Sequence, residues 1–237
     1  NFISTTGDGS VITYTGWNGS GSQQVYAING NGTNDHQVTN EPSADSDVPS
    51  IAANGSLIAY VSNSTTDGQE PASSFSYDVF VIKPDGTSRR RLTRILDFNR
   101  GAYSPAIDST GTWVTYSSNA NLAGSNADFS TEIYRVKSDG SSTQQVSSGP
   151  SGTVSQTPAI SGNGNLVAWS SNANPLGSNA DGNYEIFLRD IGAGVTRQLT
   201  NTTRGVNNYP RLSENGAWVY FVSDAAIFEF DPDTAGE

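Results

Sequence analysis

The sequence contains no cysteine and a single histidine, His36. The absence of cysteine excludes disulfide bonds, thiol catalysis and cysteine-ligated zinc. One histidine leaves one possible base for a Ser–His–Asp arrangement. The chemistry open to this chain therefore rests on carboxylates, amides, hydroxyls and aromatic rings.

Basic residues are also scarce, with 12 Lys and Arg against 23 Asp and Glu, a net charge of −11 and a pI of about 4.3. Nucleic-acid binding needs a basic stripe that neutralises phosphates, so we expect no nucleic-acid partner. Apolar runs of membrane-spanning length are missing, so we expect no membrane insertion. The polar composition with few lysines fits a periplasmic or extracellular protein.

Five small turns with glycine repeat along the 237 residues at separations of 46 to 56 residues. An aromatic residue of a predicted buried strand follows each turn glycine by five positions. These aromatics are Tyr14, Tyr60, Tyr116, Trp169 and Phe221. Their strand position predicts packing between repeats, rather than a sugar-binding ladder.

Each repeat holds four predicted strands in about 50 residues, which is typical of a β-propeller blade. We therefore predict an all-β fold, a five-bladed β-propeller of four-stranded antiparallel blades in one domain, 1–237. The blades cover about 1–40, 41–95, 96–148, 149–201 and 202–237. The sequence stops where the outer strand of blade five would begin, so we expect this blade to have three strands. We also expect blades one and five to meet face to face.

The stretches "PSIAANGSLIAYVSN", "DVFVIKPDGTSRRRLT" and "PAISGNGNLVAWSSN" show the pattern best, and it resembles the TolB-type propeller repeat. The resemblance covers almost the whole chain. It implies a propeller of the kind found in periplasmic partner-binding proteins, in peptidases with a separate catalytic domain and in some polysaccharide lyases. Such propellers commonly have six or more blades, whereas this chain has five repeats, which also fits a part of a longer protein.

Long, unequal loops connect the second and third strands and successive blades, and propeller topology places them on one face. We predict that this long-loop face binds a ligand near the central mouth. Its cations, amides and rings suit a polar or anionic ligand. The predicted ligand-binding residues are Asp47, Asp97, Asn99, Arg100, Tyr103, Arg204, Asn208 and Tyr209. Further exposed-loop aromatics are Trp17, Phe75, Tyr77, Phe98, Phe129 and Tyr184.

Two loops, "SSNANLAGSNADFSTEIYRVK" and "SSNANPLGSNADGNYEIFLRD", are near copies that end in an acid, an isoleucine and an aromatic residue. One interpretation is structural: the recurring acid, Asp78, Glu132 or Glu185, accepts hydrogen bonds from a neighbouring loop. The other is a Ca²⁺ site, because hard oxygen ligands alternate along the loop. Its predicted ligands are Asp128, Asp181, Asn183 and Glu185. Neither copy matches a full EF-hand loop.

The leading hypothesis is a non-catalytic binding or scaffolding propeller, a monomer whose partner is a protein or a carbohydrate. The alternative is a carbohydrate-active enzyme, either a glycosidase or a polysaccharide lyase, in which Asp45, Asp47 or Asp97 would act as catalytic carboxylates. A third possibility is the propeller domain of a larger peptidase or surface protein. His36 lies in a predicted outer strand, far from the mouth.

Overall fold

The computed structural model describes residues 2–65, 76–97, 99–224 and 226–230, the last five by their backbone alone. The described residues are all β, with nineteen strands and no helix. The strands form five separate antiparallel sheets, each built from strands that follow one another in the sequence. The prediction of an all-β chain with repeated four-stranded antiparallel units is confirmed.

Four sheets have four strands each, in chain order across the sheet. The first two contain β1 (Ile3–Thr5), β2 (Val11–Trp17), β3 (Gln23–Asn29) and β4 (His36–Gln37), then β5 (Ser46–Ile51), β6 (Ile58–Ser62), β7 (Asp78–Ile82) and β8 (Arg90–Arg91). The next two contain β9 (Ala102–Ile107), β10 (Trp113–Ser118), β11 (Glu132–Lys137) and β12 (Thr143–Gln145), then β13 (Ser155–Ile160), β14 (Leu166–Ser171), β15 (Glu185–Asp190) and β16 (Val195–Gln198). The fifth sheet has three strands in the described residues, β17 (Asn207–Leu212), β18 (Val219–Ser223) and β19 (Ala226–Phe230).

The first strand of sheets two to five carries a bulge next to a proline. Four residues that directly precede a proline have a positive φ of 49–54°, and the pairing register shifts at each of these sites. They are Val48, Ser104, Thr157 and Tyr209. In each of these strands the proline lies inside the strand, at the bulge. Proline is tolerated there because this strand is the inner edge of its sheet and the bulge already interrupts the ladder.

Neighbouring sheets pack face to face through four apolar cores, one for each successive pair of sheets. The middle strands of sheet two are therefore buried on both faces. An aromatic side chain from the second strand stacks on one from the third, with centroid separations of 5.6–5.8 Å in sheets two to four. The pairs are Tyr60–Phe80, Tyr116–Tyr134 and Trp169–Phe187. These aromatics also belong to the cores between successive sheets, so their predicted role in packing between blades is confirmed.

The seam between the fifth and the first sheet is open. The inner strands of the four successive sheet pairs pack side by side, but β17 and β1 show no comparable packing in the described chain. Ile3 at one end of the array is 69% exposed, and Tyr220 and Val222 at the other end are also exposed. The expected face-to-face closure of blades one and five is therefore wrong.

Candidate functional site

A central cavity of about 410 Å³ lies among the inner strands of all five sheets. Its walls combine small polar and apolar residues, with prolines from β5, β9 and β13 and serines from β5 and β9. Arg211 is the one charged side chain among the described residues that line it. The bulges described above project Val48, Ser104 and Thr157 into this central channel. The channel can therefore admit a small or extended ligand, and the residues around its rim determine which ligand binds.

An aromatic and acidic cluster stands beside the channel. The rings of Tyr77 and Tyr103 lie 6.4 Å apart, and Tyr103 directly precedes Ser104 of the channel wall. Burial raises the pKa of the Tyr77 hydroxyl, and the negative charges of Asp45 and Asp47 raise it further. Burial also raises the pKa of Tyr103. Both tyrosines therefore remain neutral hydrogen-bonding groups at ordinary pH, next to two carboxylates.

Asp47 joins the second sheet to the first. Its Oδ1 accepts a hydrogen bond from the Thr15 hydroxyl at 2.6 Å and another from the amide of Val48 at 2.7 Å. The second of these bonds supports the positive φ of Val48. Asp47 therefore has a structural role at the bulge, and its negative charge also raises the pKa of Tyr77.

Asp97, Asn99 and Arg100 form a compact loop between sheets two and three. Arg100 Nε lies 2.8 Å from Asp97 Oδ2, and its guanidinium lies 3.3 Å from the ring centroid of Phe129. The amide of Asn99 donates to Asp97 and lowers the pKa of that carboxyl, and Arg100 lowers it further. Because Arg100 has both a carboxylate and a ring as partners, it acts as a brace between two long loops.

The predicted residues of the fifth sheet form a separate group. Asn208 Oδ1 accepts the Thr157 hydroxyl at 2.7 Å and the amide of Tyr209 at 2.8 Å. Tyr209 is 56% exposed, and Arg204 is exposed in the preceding loop. No contact joins Arg204 to the other predicted site residues in the described chain. The sequence therefore grouped residues that the fold divides into three places on the long-loop side.

The recurring acid at the start of the third strand has a structural role. Glu132 accepts hydrogen bonds from the Ser147 hydroxyl, the Gly149 amide at 2.6 Å and the Ser130 hydroxyl at 2.9 Å. The Ser147 hydroxyl in turn accepts the amide of Ile133 at 2.8 Å. We call this arrangement the strand latch, because it ties the end of the fourth strand and the following loop to the third strand. Burial raises the pKa of Glu132, whereas the hydrogen bonds from these donors lower it by less.

The strand latch repeats in four sheets with the same geometry. The acceptor is the first or second residue of the third strand, and its partners are a hydroxyl at the end of the fourth strand and an amide two residues later. The four sets are Gln24 with Thr39 and Glu41, Asp78 with Thr93 and Ile95, Glu132 with Ser147 and Gly149, and Glu185 with Thr200 and Thr202. The structural interpretation of the recurring acid is confirmed, and it explains why the two near-copied loops end in the same way.

The sequence analysis missed the first member of this set, Gln24, because Gln24 is an amide and the recurring residue was identified as an acid. Its Oε1 accepts the Thr39 hydroxyl at 2.8 Å and the Glu41 amide at 3.0 Å. Its Nε2 donates to the carbonyls of Glu41 and Ala44. The signal was available in "QVYAI", which aligns with "DVFVI" and "EIYRV" when the acceptor position is matched.

The four predicted calcium ligands do not converge in the described chain. Asp128 accepts from the Ser130 amide and hydroxyl, and Asp181 is exposed. Asn183 donates to the Thr202 carbonyl at 2.6 Å, while its Oδ1 is buried without a protein partner. Glu185 accepts four hydrogen bonds, from Thr200, Thr202 and Asn207. No group of three acids or histidines is placed to hold a metal among these residues. Calcium binding stays a prediction.

His36 lies in the outer strand β4, as predicted. Its Nδ1 lies 2.8 Å from the Asn34 carbonyl and its Nε2 lies 3.0 Å from the Pro84 carbonyl of the next sheet. These two acceptors raise its pKa above the usual 6.5. Both ring nitrogens are thus occupied by backbone oxygens, which leaves the ring no serine or acid to activate. Phe75 and Phe98 fall outside the described residues.

Structural comparison shows what the chain resembles. TolB from Acinetobacter baumannii superposes with a TM-score of 0.68 and 17% identity, over 98% of this chain and 52% of that one. A TolB-type protein from Agrobacterium tumefaciens gives 0.68 and 16%, over 98% and 76%. The chain has a TolB-like β-propeller fold. It spans about half the length of the Acinetobacter protein.

The same fold occurs in proteins of other activities. A structure described as a prolyl endopeptidase superposes with a TM-score of 0.66 and 13% identity, over 98% of this chain and 34% of that one. No protein-family model and no curated protein sequence matches the chain. At these identities the likeness establishes the fold alone. The described residues also include no helix long and apolar enough to span a membrane.

Proposed function

We propose that this protein is a non-catalytic binding propeller that holds a polar ligand, a carbohydrate or a protein segment, at the mouth of its central channel. The observation that carries the proposal is the pairing of Tyr77 and Tyr103 beside the channel wall, with Asp45 and Asp47 next to them. Rings next to hydrogen-bonding acids suit hydroxyl-rich ligands and peptide backbones, because they combine an apolar surface with oriented acceptors.

The environment of the acids supports binding over glycoside hydrolysis. A glycosidase needs two carboxylates that face each other across the substrate, one of them protonated. Asp97 is paired with Arg100, and its pKa is lowered, which disfavours a proton donor. Asp47 has bonds to Thr15 and Val48. The alternative functions are a polysaccharide lyase or glycosidase, and the propeller domain of a larger peptidase or surface protein.

We further propose that the protein acts outside the cytoplasm as a monomer. Its polar composition with few lysines supports a protein of the periplasm or the extracellular space. The acidity keeps copies of the chain apart, which supports the monomer.

The test is a binding screen with defined oligosaccharides and extended peptides, followed by Tyr103→Ala. We expect the variant to weaken binding at least about tenfold, because a ring at the contact is typically worth 1–3 kcal/mol. Tyr220→Ala, an exposed tyrosine at the open seam that does not line the channel, is the matched control and should bind as wild type. Equal binding by Tyr103→Ala would reject this surface. Cleavage of any of the oligosaccharides into shorter products would favour the enzyme alternative.

A further inference from the structure

A second cavity, of about 420 Å³, lies between the third and fourth sheets and shares no lining residue with the central channel. We call it the intersheet cleft. Serine hydroxyls from both sheets line it, together with Gln145, Trp169, Leu176 and Arg189. Its volume lies within the range of small-molecule sites. The cleft is therefore large enough for a small ligand of its own.

Arg189 is the one charged side chain in the lining of the cleft, and it departs from the repeat. The second and third strands pair two apolar residues at this level in three other sheets: Ile12 with Ile28, Ile58 with Ile82, and Val114 with Val136. In the fourth sheet the pair is Val167 with Arg189. The repeat alone would place an apolar residue here, so packing does not explain the arginine.

The guanidinium of Arg189 has unused donors. Its Nη1 donates to the Thr196 hydroxyl at 2.9 Å, and no carboxylate lies within ion-pair distance in the described chain. An arginine has five N–H donors in a planar fork that matches a carboxylate. The site is therefore suited to an anionic group of a ligand.

The end of the cleft opposite Arg189 determines which other chemical groups a ligand needs. Ser147 donates its hydroxyl to Glu132, so a buried carboxylate stands directly behind that end and repels a second negative charge. The Gln145 side chain accepts from Ser125, and both residues line the cleft. Hydroxyls and amides exchange hydrogen bonds with neutral polyols. The cleft thus has a cationic end and a hydroxyl-binding end.

We propose that the intersheet cleft binds a small sugar acid, with its carboxylate on Arg189 and its hydroxyls toward Ser147 and Gln145. Trp169 and Leu176 provide the apolar wall that the carbon face of the ring requires. This site is independent of the proposed function at the channel.

The experiment is isothermal titration of the whole protein with D-glucuronate, and with D-glucose as the neutral probe. We expect saturable binding of glucuronate and at least about tenfold weaker binding of glucose, because only glucuronate has a carboxylate that can accept charge-assisted hydrogen bonds from Arg189. Arg189→Val should weaken glucuronate binding by a similar factor. Valine occupies the equivalent position in sheet three, so this variant is expected to fold, and its melting temperature checks that.

Two further variants locate the site. Arg197→Gln removes an exposed arginine from the same sheet that does not line the cleft, and glucuronate binding should be unchanged. Arg211→Gln removes the cation of the central channel, and binding should again be unchanged. The proposal is overturned by an absence of binding at about 10 mM glucuronate. It is also overturned if a folded Arg189→Val binds as wild type, or if Arg211→Gln abolishes binding.

Discussion

Removal of the latch carboxylate in the third sheet should destabilise the protein strongly. Glu132→Ala leaves the Gly149 amide and the Ser147 and Ser130 hydroxyls without their shared acceptor, in a site where Glu132 is 1% exposed. Each unsatisfied buried donor costs about 1–3 kcal/mol. The two hydroxyls can rotate toward other acceptors and the amide cannot, so we expect a total loss of about 3 kcal/mol in the free energy of unfolding.

For a chain of this size, such a loss lowers the melting temperature by about 6–12 °C. The assay is thermal unfolding followed by circular dichroism, with Glu214→Ala as the control. Glu214 is exposed, so its removal should change stability by no more than about 0.5 kcal/mol. A decrease below about 2 °C for Glu132→Ala would refute the latch as a major source of stability.

Glu132→Gln separates geometry from charge. Gln24 holds the same position in the first sheet, so an amide fits the latch, and we expect a cost nearer to 1 kcal/mol. Burial raises the folded-state pKa of Glu132 above 4.5. The stability that protonated Glu132 contributes is therefore fully present below pH 4.5, and it is lost as the pH rises through the raised folded-state pKa. Relative to Glu132→Gln, wild type should gain stability as pH falls toward 4.5; a constant difference between the two would contradict this.

Three further predictions follow from other parts of the structure. His36→Ala should leave ligand binding intact and should cost more stability at pH 6 than at pH 9, because the raised pKa of His36 makes its contribution largest below 6.5; equal losses by denaturant titration would contradict this. If the twin loops bind Ca²⁺, saturation at 100 times the dissociation constant adds about 2.7 kcal/mol, and Asp128→Ala with Asp181→Ala abolishes the rise in melting temperature. No rise in chelator-treated protein at millimolar Ca²⁺ would reject that site. Gly164→Ala should lower stability by more than about 1 kcal/mol in the same melts, because φ is +73° and the new Cβ would lie 2.9 Å from Trp113; unchanged stability would mean that the loop relaxes.

The binding residues show how far sequence reasoning reaches. It grouped Asp97 with Arg100, which the structure pairs, but it treated Arg100 as a cation open to ligand. The structure pairs Arg100 with Asp97 and with Phe129, which lies 29 positions away in a different loop. No periodic pattern encodes that contact, because it depends on how two irregular loops are brought together by neighbouring sheets.

The sequence by itself determined the repeat, the strands and the aromatic stacks. These features follow from alternation of apolar residues along a strand and from glycine turns, both of which are local. The acid of the strand latch was also readable, because Glu132 and Glu185 stand at the same place in near-identical loops.

The tertiary structure alone decided the open seam, the bulged inner strands and the intersheet cleft. Closure depends on the angle between packed sheets summed over four interfaces, and no single repeat contains that angle. The cleft depends on Arg189 facing a neighbouring sheet whose residues are some 40 to 60 positions away. A repeat sequence specifies each sheet nearly independently, whereas the ends of the array and the gaps between sheets arise only when all of the sheets are assembled.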